Sequence, residues 1–570
     1  MRITLCLAVL ALLASPVLAQ APLVLGTSVP GTLGPDSRET YSFRADSGSY
    51  VYGYVDQLTV DVVVTILGPD GAELGTFDSP ARGPESFQII TDSSGRFTLA
   101  VTPFERQEGD YEVLLIALQP AAVTSEEIVD QLMTPFSGDS VPGVVVSVLR
   151  EGEIVFAKAY GMSNLTYGIP LDVNSGMSVA SVSKQFTAMA VMLLVGDGKL
   201  TLDDDVRLHL PELKDFGTPV TIRNMLNHTT GYRAILNFLG MGGWQSTDAM
   251  SADEPFRVIQ RQAALQNPPG AEYNYNNTTF MLLAQLVERV SGQSWGDFLE
   301  ERIFGPLEMT STTVKTVQGQ VIPGSSQGYA TRQDGGYRYV TDFASAYGAS
   351  GVNTTALDIT QWMLNYTHHR VGGAAAVEAI TTPGITTSGD TLTYGLGLGI
   401  GKYRGQRLYS HTGGETAHRT YFSYYPEIQS GLFMSSNNPS FDRNGTWPRI
   451  ADAFFADYFE PLPAPAQPAE AAEDTTAAPV APTPEQLAAF AGRYYSEELE
   501  TFYTLRVEDE RLMAHHRWVD PAAVNHREGD TFSGPGLLST MEFHRDPVGN
   551  IDGFSAANGR TRGVWFERRN

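Results

Sequence analysis

Between Gln185 and Val195 eleven consecutive residues carry no charge and no helix breaker, and the run stops only at Gly196. Such a segment predicts a helix buried on most of its sides, because it offers water no charged face. Directly before it stands Ser181-Val182-Ser183-Lys184. Three residues make nearly one helical turn, so Ser181 and Lys184 share a face within hydrogen-bonding reach. A lysine at the first turn of a buried helix is partly desolvated, which lowers its pKa and suits it to proton transfer near neutrality. Ser181 lies where free N–H groups and the positive helix end can stabilise an oxyanion. The plain alternative is a serine N-cap followed by an incidental lysine.

At 570 residues the chain exceeds one ordinary domain, and two to four units are expected. Residues 1–19 combine a basic start at Arg2, an apolar core from Ile3 to Leu13 and Val17-Leu18-Ala19, which reads as a secretory signal peptide. Cys6 is the single cysteine and lies inside that segment, so the mature chain is expected to hold neither disulfide nor thiol nucleophile. No other apolar run has the length of a membrane span. A net charge of −26 argues against nucleic acid and anionic membranes as partners, and its simplest role is solubility. These features predict an exported protein, secreted or periplasmic, with no integral membrane segment in its mature form and no stated oligomeric state.

The texture changes twice. Residues 20–120 are dominated by β-type runs such as Val60–Leu67 and Tyr111–Ile116, separated by turns at Pro69-Asp70-Gly71 and Ser93-Ser94-Gly95, and predict an accessory β-sandwich. Residues 124–460 mix helical and strand patterns: a helix near Ser125–Met133, a hairpin from Val144–Leu149 and Ile154–Lys158, and late strands between Leu396 and Phe433. A sheet built from both ends of the block, with a helical region between, predicts an α+β layout. Residues 461–484 are rich in proline, alanine and acid and read as a linker. Residues 485–570 alternate in short runs, such as Tyr503–Val507 and Val564–Glu567, and predict a small antiparallel barrel or sandwich. Neither flanking block carries an obvious catalytic constellation.

The central block offers two further motifs. Tyr275-Asn276-Asn277 precedes an amphipathic helix through Leu282, Leu286 and Val290. A tyrosine near cations can have its pKa lowered enough to act as a base, and an amide two residues on can hold a substrate carbonyl. Tyr409-Ser410-His411-Thr412-Gly413-Gly414 joins two β-rich runs. Paired glycines permit close backbone approach, and an N–H there can complete an oxyanion hole with that of Ser181. Read singly, these are a packing tyrosine and a bulge beside a surface histidine.

In this order, S-x-x-K, Y-x-N and H-x-G resemble the serine β-lactamase and penicillin-binding-protein superfamily, in its class C β-lactamase-like branch of esterases, D-aminopeptidases and D-alanyl-D-alanine carboxypeptidases. Leu200–Asp204, Thr221–Gly231 and Ile303–Met309 fit the same branch, and Phe490–Tyr495 is similar to the start of the lipocalin-like barrels that follow such domains. The resemblance implies a multidomain chain: a central α+β serine β-lactamase-like domain with an antiparallel sheet flanked by helices, an N-terminal β-sandwich and a C-terminal lipocalin-like β-barrel. It implies Ser181 as acylated nucleophile, Lys184 and Tyr275 sharing the acid–base work, Asn277 orienting the substrate, and the N–H groups of Ser181 and Gly414 holding the oxyanion. It requires no cofactor, and its substrate is a small molecule or peptide. His411 stands where β-lactamases carry lysine; a largely neutral histidine shifts the expectation from antibiotic hydrolysis toward ester, amide or D-amino-acid peptide cleavage. Arg419 is a candidate for the missing charge.

The rivals are a β-lactamase or penicillin-binding activity, a binding protein that keeps the fold without turnover, and an α/β-hydrolase. The last rests on G-x-S-x-G at Gly292–Gly296 and Gly324–Gly328, which needs a strand before the serine and a helix after it. Ser294 instead reads as an N-cap, and Ser326 lies in a loop. The His368-His369 and His515-His516 pairs have no metal-ligand spacing.

Overall fold

A computed structural model of the chain describes residues 20–569 apart from 79–82, 246–247, 318, 333–334, 341–345, 463–481 and 537. The expected signal peptide and most of the expected linker lie outside the described residues. The chain divides into two compact units, Met1–Pro135 with Thr331–Tyr337, and Phe136–Ala330 with Arg338–Asn570.

The first unit holds a five-stranded and a four-stranded sheet, built from strands between Ala21 and Pro120. Val62–Leu67 alternates buried and half-buried side chains, and Phe43, Val64, Phe87, Phe97 and Tyr111 meet in the core between the sheets. Helix α1, Ser125–Leu132, starts at a capping box formed by Thr124 and Glu127. Its Gln131 carbonyl accepts from the Tyr50 hydroxyl at 2.7 Å, and the Gln131 amide donates to the Pro120 carbonyl at 2.9 Å. These bonds tie α1 to the sandwich strands.

The second unit is centred on a six-stranded antiparallel sheet of β1 (Val144–Arg150), β2 (Glu153–Tyr160), β3 (Gly399–Tyr403), β4 (Gln406–Gly414), β5 (Arg419–Tyr425) and β6 (Ser430–Ser436), in the order β2-β1-β6-β5-β4-β3. The early hairpin pairs with β6, so the two ends of the block close one sheet. β6 is buried throughout, and β1 at all but Arg150, because helices pack on the sheet. Helix α2, Lys184–Gly196, buries ten of its thirteen residues. Two of its polar members bond inside: Gln185 Oε1 accepts from Trp362 Nε1 at 3.0 Å and from the Tyr366 hydroxyl at 2.7 Å, and Thr187 Oγ1 donates to the Gly348 carbonyl at 2.7 Å. Helix α3, Asn277–Ser291, packs beside α2.

After Thr483, which caps a short helix at Pro484–Leu487, eight strands from Gly492 to Arg569 close a barrel. Tyr494, Phe532, Phe543, Phe554 and Phe566 fill its interior. The barrel shares one continuous core with the α+β block. The contact is pinned by Arg233 and Glu498, joined through two 3.0 Å hydrogen bonds with side chains 3% and 8% exposed. Glu498→Ala leaves a buried guanidinium uncompensated and should lower unfolding free energy by about 3–5 kcal/mol in urea titrations. Among the described residues no helix is long and apolar enough to cross a membrane.

Candidate active site

Ser181 sits in a 3₁₀ turn, Ala180–Ser183, that runs into α2. The preceding Ala180 is buried and held at φ 46°, a left-handed conformation that an alanine adopts only when its surroundings impose it. First-turn N–H groups have no intrahelical partner, which leaves that of Ser181 available.

Lys184 is 0% exposed, and among the described residues no carboxylate pairs with it. Its Nζ lies 3.1 Å from Ser181 Oγ, 2.8 Å from Asn277 Oδ1, 2.9 Å from the Ala349 carbonyl and 4.8 Å from the centre of the Tyr275 ring. Burial, and then the positive charge of Arg560, push its pKa well below the ordinary lysine value.

Tyr275 precedes α3 and hydrogen-bonds Ser181 through its hydroxyl. Cationic neighbours were expected to lower its pKa. Burial wins instead and raises it, outweighing both the Ser181 hydrogen bond and the charge of Arg560, so Tyr275 rests as a phenol. The turn that presents it is held by Asn276, whose Oδ1 caps α3 through the Thr278 N–H at 2.8 Å and whose Nδ2 donates to the Tyr232 carbonyl at 2.8 Å. Asn276 N–H donates to Nδ1 of buried His228 at 3.0 Å, and the His228 ring packs 4.4 Å from that of Tyr275. His228 was not singled out in the sequence; its signal was its place in Thr221–Gly231. Asn277 spends Oδ1 on Lys184, which leaves its Nδ2 for a ligand carbonyl.

His411 lies within β4, buried rather than on a surface. Its Nδ1 is 2.7 Å from the Thr412 carbonyl, which can only accept, so Nδ1 carries the proton and Nε2 accepts from the Tyr394 hydroxyl at 2.9 Å. Both ring nitrogens are thus engaged inside the protein. Burial, followed by the charge of Lys184, depresses its pKa to about 3. Unfolded, His411 takes a proton near pH 6.5, so its stabilising contribution is complete above that pH and is lost as pH falls toward 3. In urea unfolding between pH 6 and 4, His411→Gln should lose a slope of about 1.4 kcal/mol per pH unit relative to the parent.

A cavity of about 510 Å³ opens over Ser181, lined among others by Asn277, Gly414, Glu415, Arg419 and Arg443. Gly413 is bare for a reason: a Cβ there would meet the Val179 carbonyl at 2.3 Å. This contact presses β4 against the turn carrying Ser181. A Cβ on Gly414 would lie 3.5 Å from Arg443 Nη1 and 3.9 Å from Arg419 Nη1, so two guanidinium groups flank that glycine. Arg443 donates to the Gly413 carbonyl at 3.0 Å and Arg419 to the His418 carbonyl at 3.0 Å. Arg443 Nε is buried with no partner among the described residues. Arg443, at the start of a helix and outside any motif, escaped the sequence reading.

The rival serines lack the needed surroundings. Ser294 caps Trp295–Leu299, accepting from the Asp297 N–H at 3.1 Å. Ser326 borders a separate cavity of about 180 Å³, and its Oγ is 3.4 Å from His418 Nε2, whose Nδ1 is 3.5 Å from Glu415. The N–H groups of Ser326 and Gln327, however, donate to the Gly176 and Ser163 carbonyls at 2.8 and 3.0 Å, so neither is free to hold an oxyanion. Among the described residues no cluster of His, Cys, Asp and Glu could hold a metal ion.

Residues 127–455 match the beta-lactamase family. The chain belongs to that family. This places it among the β-lactamase-like and penicillin-binding-protein-like serine hydrolases. It is 27% identical to a D-aminopeptidase of Brucella anthropi over 272 residues, 48% of this chain and 51% of that protein. It is 28% identical to a D-aminopeptidase of Brucella melitensis biotype 1 over 274 residues, 48% of this chain and 52% of that protein. It therefore spans about half the length of these curated relatives. The octameric penicillin-binding protein homologue from Pyrococcus abyssi shares the fold at a TM-score of 0.51 and 22% identity, covering 78% of this chain and 99% of that one. The D-amino acid amidase from Ochrobactrum anthropi SV3 does so at 0.50 and 22%, covering 59% and 98%.

Proposed function

We propose that the chain is an exported serine hydrolase that forms an acyl-enzyme on Ser181 and cleaves an ester, an amide or a D-amino-acid peptide. The observation that carries this reading is the environment of Lys184. A neutral amine has two hydrogens and one lone pair. The two hydrogens go to Asn277 Oδ1 and the Ala349 carbonyl, which can only accept, and the lone pair is left at 3.1 Å from Ser181 Oγ. Ser181 gives its proton to Lys184 as Oγ attacks the substrate carbonyl, whose oxygen is held by the N–H groups of Ser181 and Gly414. Asn277 Nδ2 donates to the acyl portion. When the tetrahedral intermediate collapses, Tyr275 gives its proton to the leaving group and recovers one from Lys184. Water, activated by the same pair, then frees Ser181.

Arg419 and Arg443 beside Gly414 suit a carboxylate on the departing half of the substrate, the charge that neutral His411 does not supply. The D-aminopeptidase relatives and the D-amino-acid amidase fold support D-configured substrates. The same guanidinium pair could take the carboxylate of a β-lactam, which keeps penicillin recognition as the second reading.

A panel of a p-nitrophenyl ester, a D-alanyl anilide, a D-alanyl-D-alanine peptide and a chromogenic cephalosporin tests the assignment. Ester or D-peptide turnover that disappears in Ser181→Ala is expected. Fast cephalosporin turnover with negligible ester and peptide cleavage contradicts the substrate assignment. Ser181→Ala indistinguishable from the parent on every substrate contradicts the hydrolase itself.

A further inference from the structure

Aromatic rings pack inside the barrel, and one of its loops reaches Tyr275 beside Ser181. Residues 558–563 connect the strands Ile551–Ala557 and Val564–Arg569. The loop is shaped internally by Asn558, whose Oδ1 accepts the N–H groups of Arg560 and Thr561 at 3.1 and 3.0 Å. Buried Thr561 bonds the N–H and carbonyl of Ala234 through its hydroxyl at 3.2 and 3.3 Å. The Arg560 carbonyl accepts from Asn274 Nδ2 at 2.8 Å and Gln266 Nε2 at 3.2 Å, and Arg233, itself locked to Glu498, donates to the carbonyls of Arg562 and Gly563. Every backbone anchor converges on one result: the Arg560 guanidinium is placed 4.8 Å from the centre of the Tyr275 ring.

That guanidinium has no acidic partner among the described residues. Its neighbour Arg562 is paired with Glu272 at 2.7 Å, and a chain with 64 acidic and 38 basic side chains has carboxylates to spare. The groups that feel its charge are Lys184, His228, Tyr273 and Tyr275, none of them anionic. An exposed cation fixed by its loop one aromatic ring from the nucleophile, and left unpaired, is suited to an anion that arrives with the substrate. Arg419 and Arg443 flank Gly414, whereas Arg560 lies over the Tyr275 ring.

We infer that Arg560 is a specificity-determining residue that selects substrates whose acyl half carries a carboxylate and disfavours a free α-amine there. This rests on the acyl-enzyme reading above, with the departing carboxylate held by Arg419 and Arg443. It sets this chain apart from an aminopeptidase, whose substrate presents an ammonium group on the acyl side, where Arg560 would repel it.

The test compares release of D-alanine from N-succinyl-D-alanyl-D-alanine, its near-isosteric N-butyryl counterpart and free D-alanyl-D-alanine. In the parent the succinyl peptide should exceed the butyryl peptide in kcat/KM by about tenfold, with the free amine lowest. R560Q should bring the succinyl-to-butyryl ratio to about one, R560K should keep most of the preference, and R560E should favour the free amine over the succinyl peptide. A parent ratio at or below one, or a ratio unchanged in R560Q, overturns the inference. If no peptide is cleaved while the p-nitrophenyl ester is hydrolysed through Ser181, this inference falls and the hydrolase stands; if the ester also survives intact, both fall.

Discussion

Lys184→Ala should lower kcat/KM by about 10³–10⁴-fold, the range expected when a general base is removed from a nucleophile that cannot ionise unaided. Lys184→Arg should fail nearly as completely. The guanidinium keeps a positive charge but holds its proton throughout the working pH range, so it can stabilise an anion without acting as a base. The pair separates proton transfer from electrostatics: an active Lys184→Arg enzyme would mean that Lys184 works as a charge. The pH profile adds a sign. Burial lowers the Lys184 pKa, so the parent should gain kcat/KM as pH rises through that lowered value, and the residual activity of Lys184→Ala should lack this limb.

Gly413→Ala should be the second large effect, although the residue never touches substrate. Its new Cβ would sit 2.3 Å from the Val179 carbonyl. Neither side can yield cheaply: Gly413 pairs with Thr420 inside the sheet, while the Val179 N–H donates to the Val352 carbonyl at 3.1 Å and leads into the constrained Ala180. Overpacking of this kind costs about 1–3 kcal/mol of stability, readable in urea titrations. Displacing Ser181 against Lys184 by even part of an ångström should cost about 100-fold in kcat. Gly414→Ala is the control for packing and should leave stability near that of the parent, because its Cβ would come no nearer than 3.5 Å to Arg443 and 3.9 Å to Arg419.

That Ser181, Lys184, Tyr275 and Asn277 lie together was legible because local geometry links them in pairs: one helical turn joins Ser181 to Lys184, and one helix start presents Tyr275 and Asn277. The uncharged run of α2 and the alternation of the barrel strands were legible for the same reason, since period and burial are local properties. Arg443 and Arg560 were not. Arg560 comes from a loop 286 positions beyond Asn274, its partner, and what brings it to Tyr275 is the docking of a whole barrel through Arg233, Glu498 and Thr561. No spacing encodes that. The direction of the Tyr275 shift was misjudged because cations can be counted in a sequence, whereas burial has to be seen.

Intact-mass analysis after rapid mixing with a slowly deacylated ester, followed by peptide mapping, tests the central claim most directly. The account predicts one acyl group per chain, carried on Ser181, present in the parent and absent from Ser181→Ala. An adduct on Ser294 or Ser326, or turnover that persists in Ser181→Ala, would contradict it.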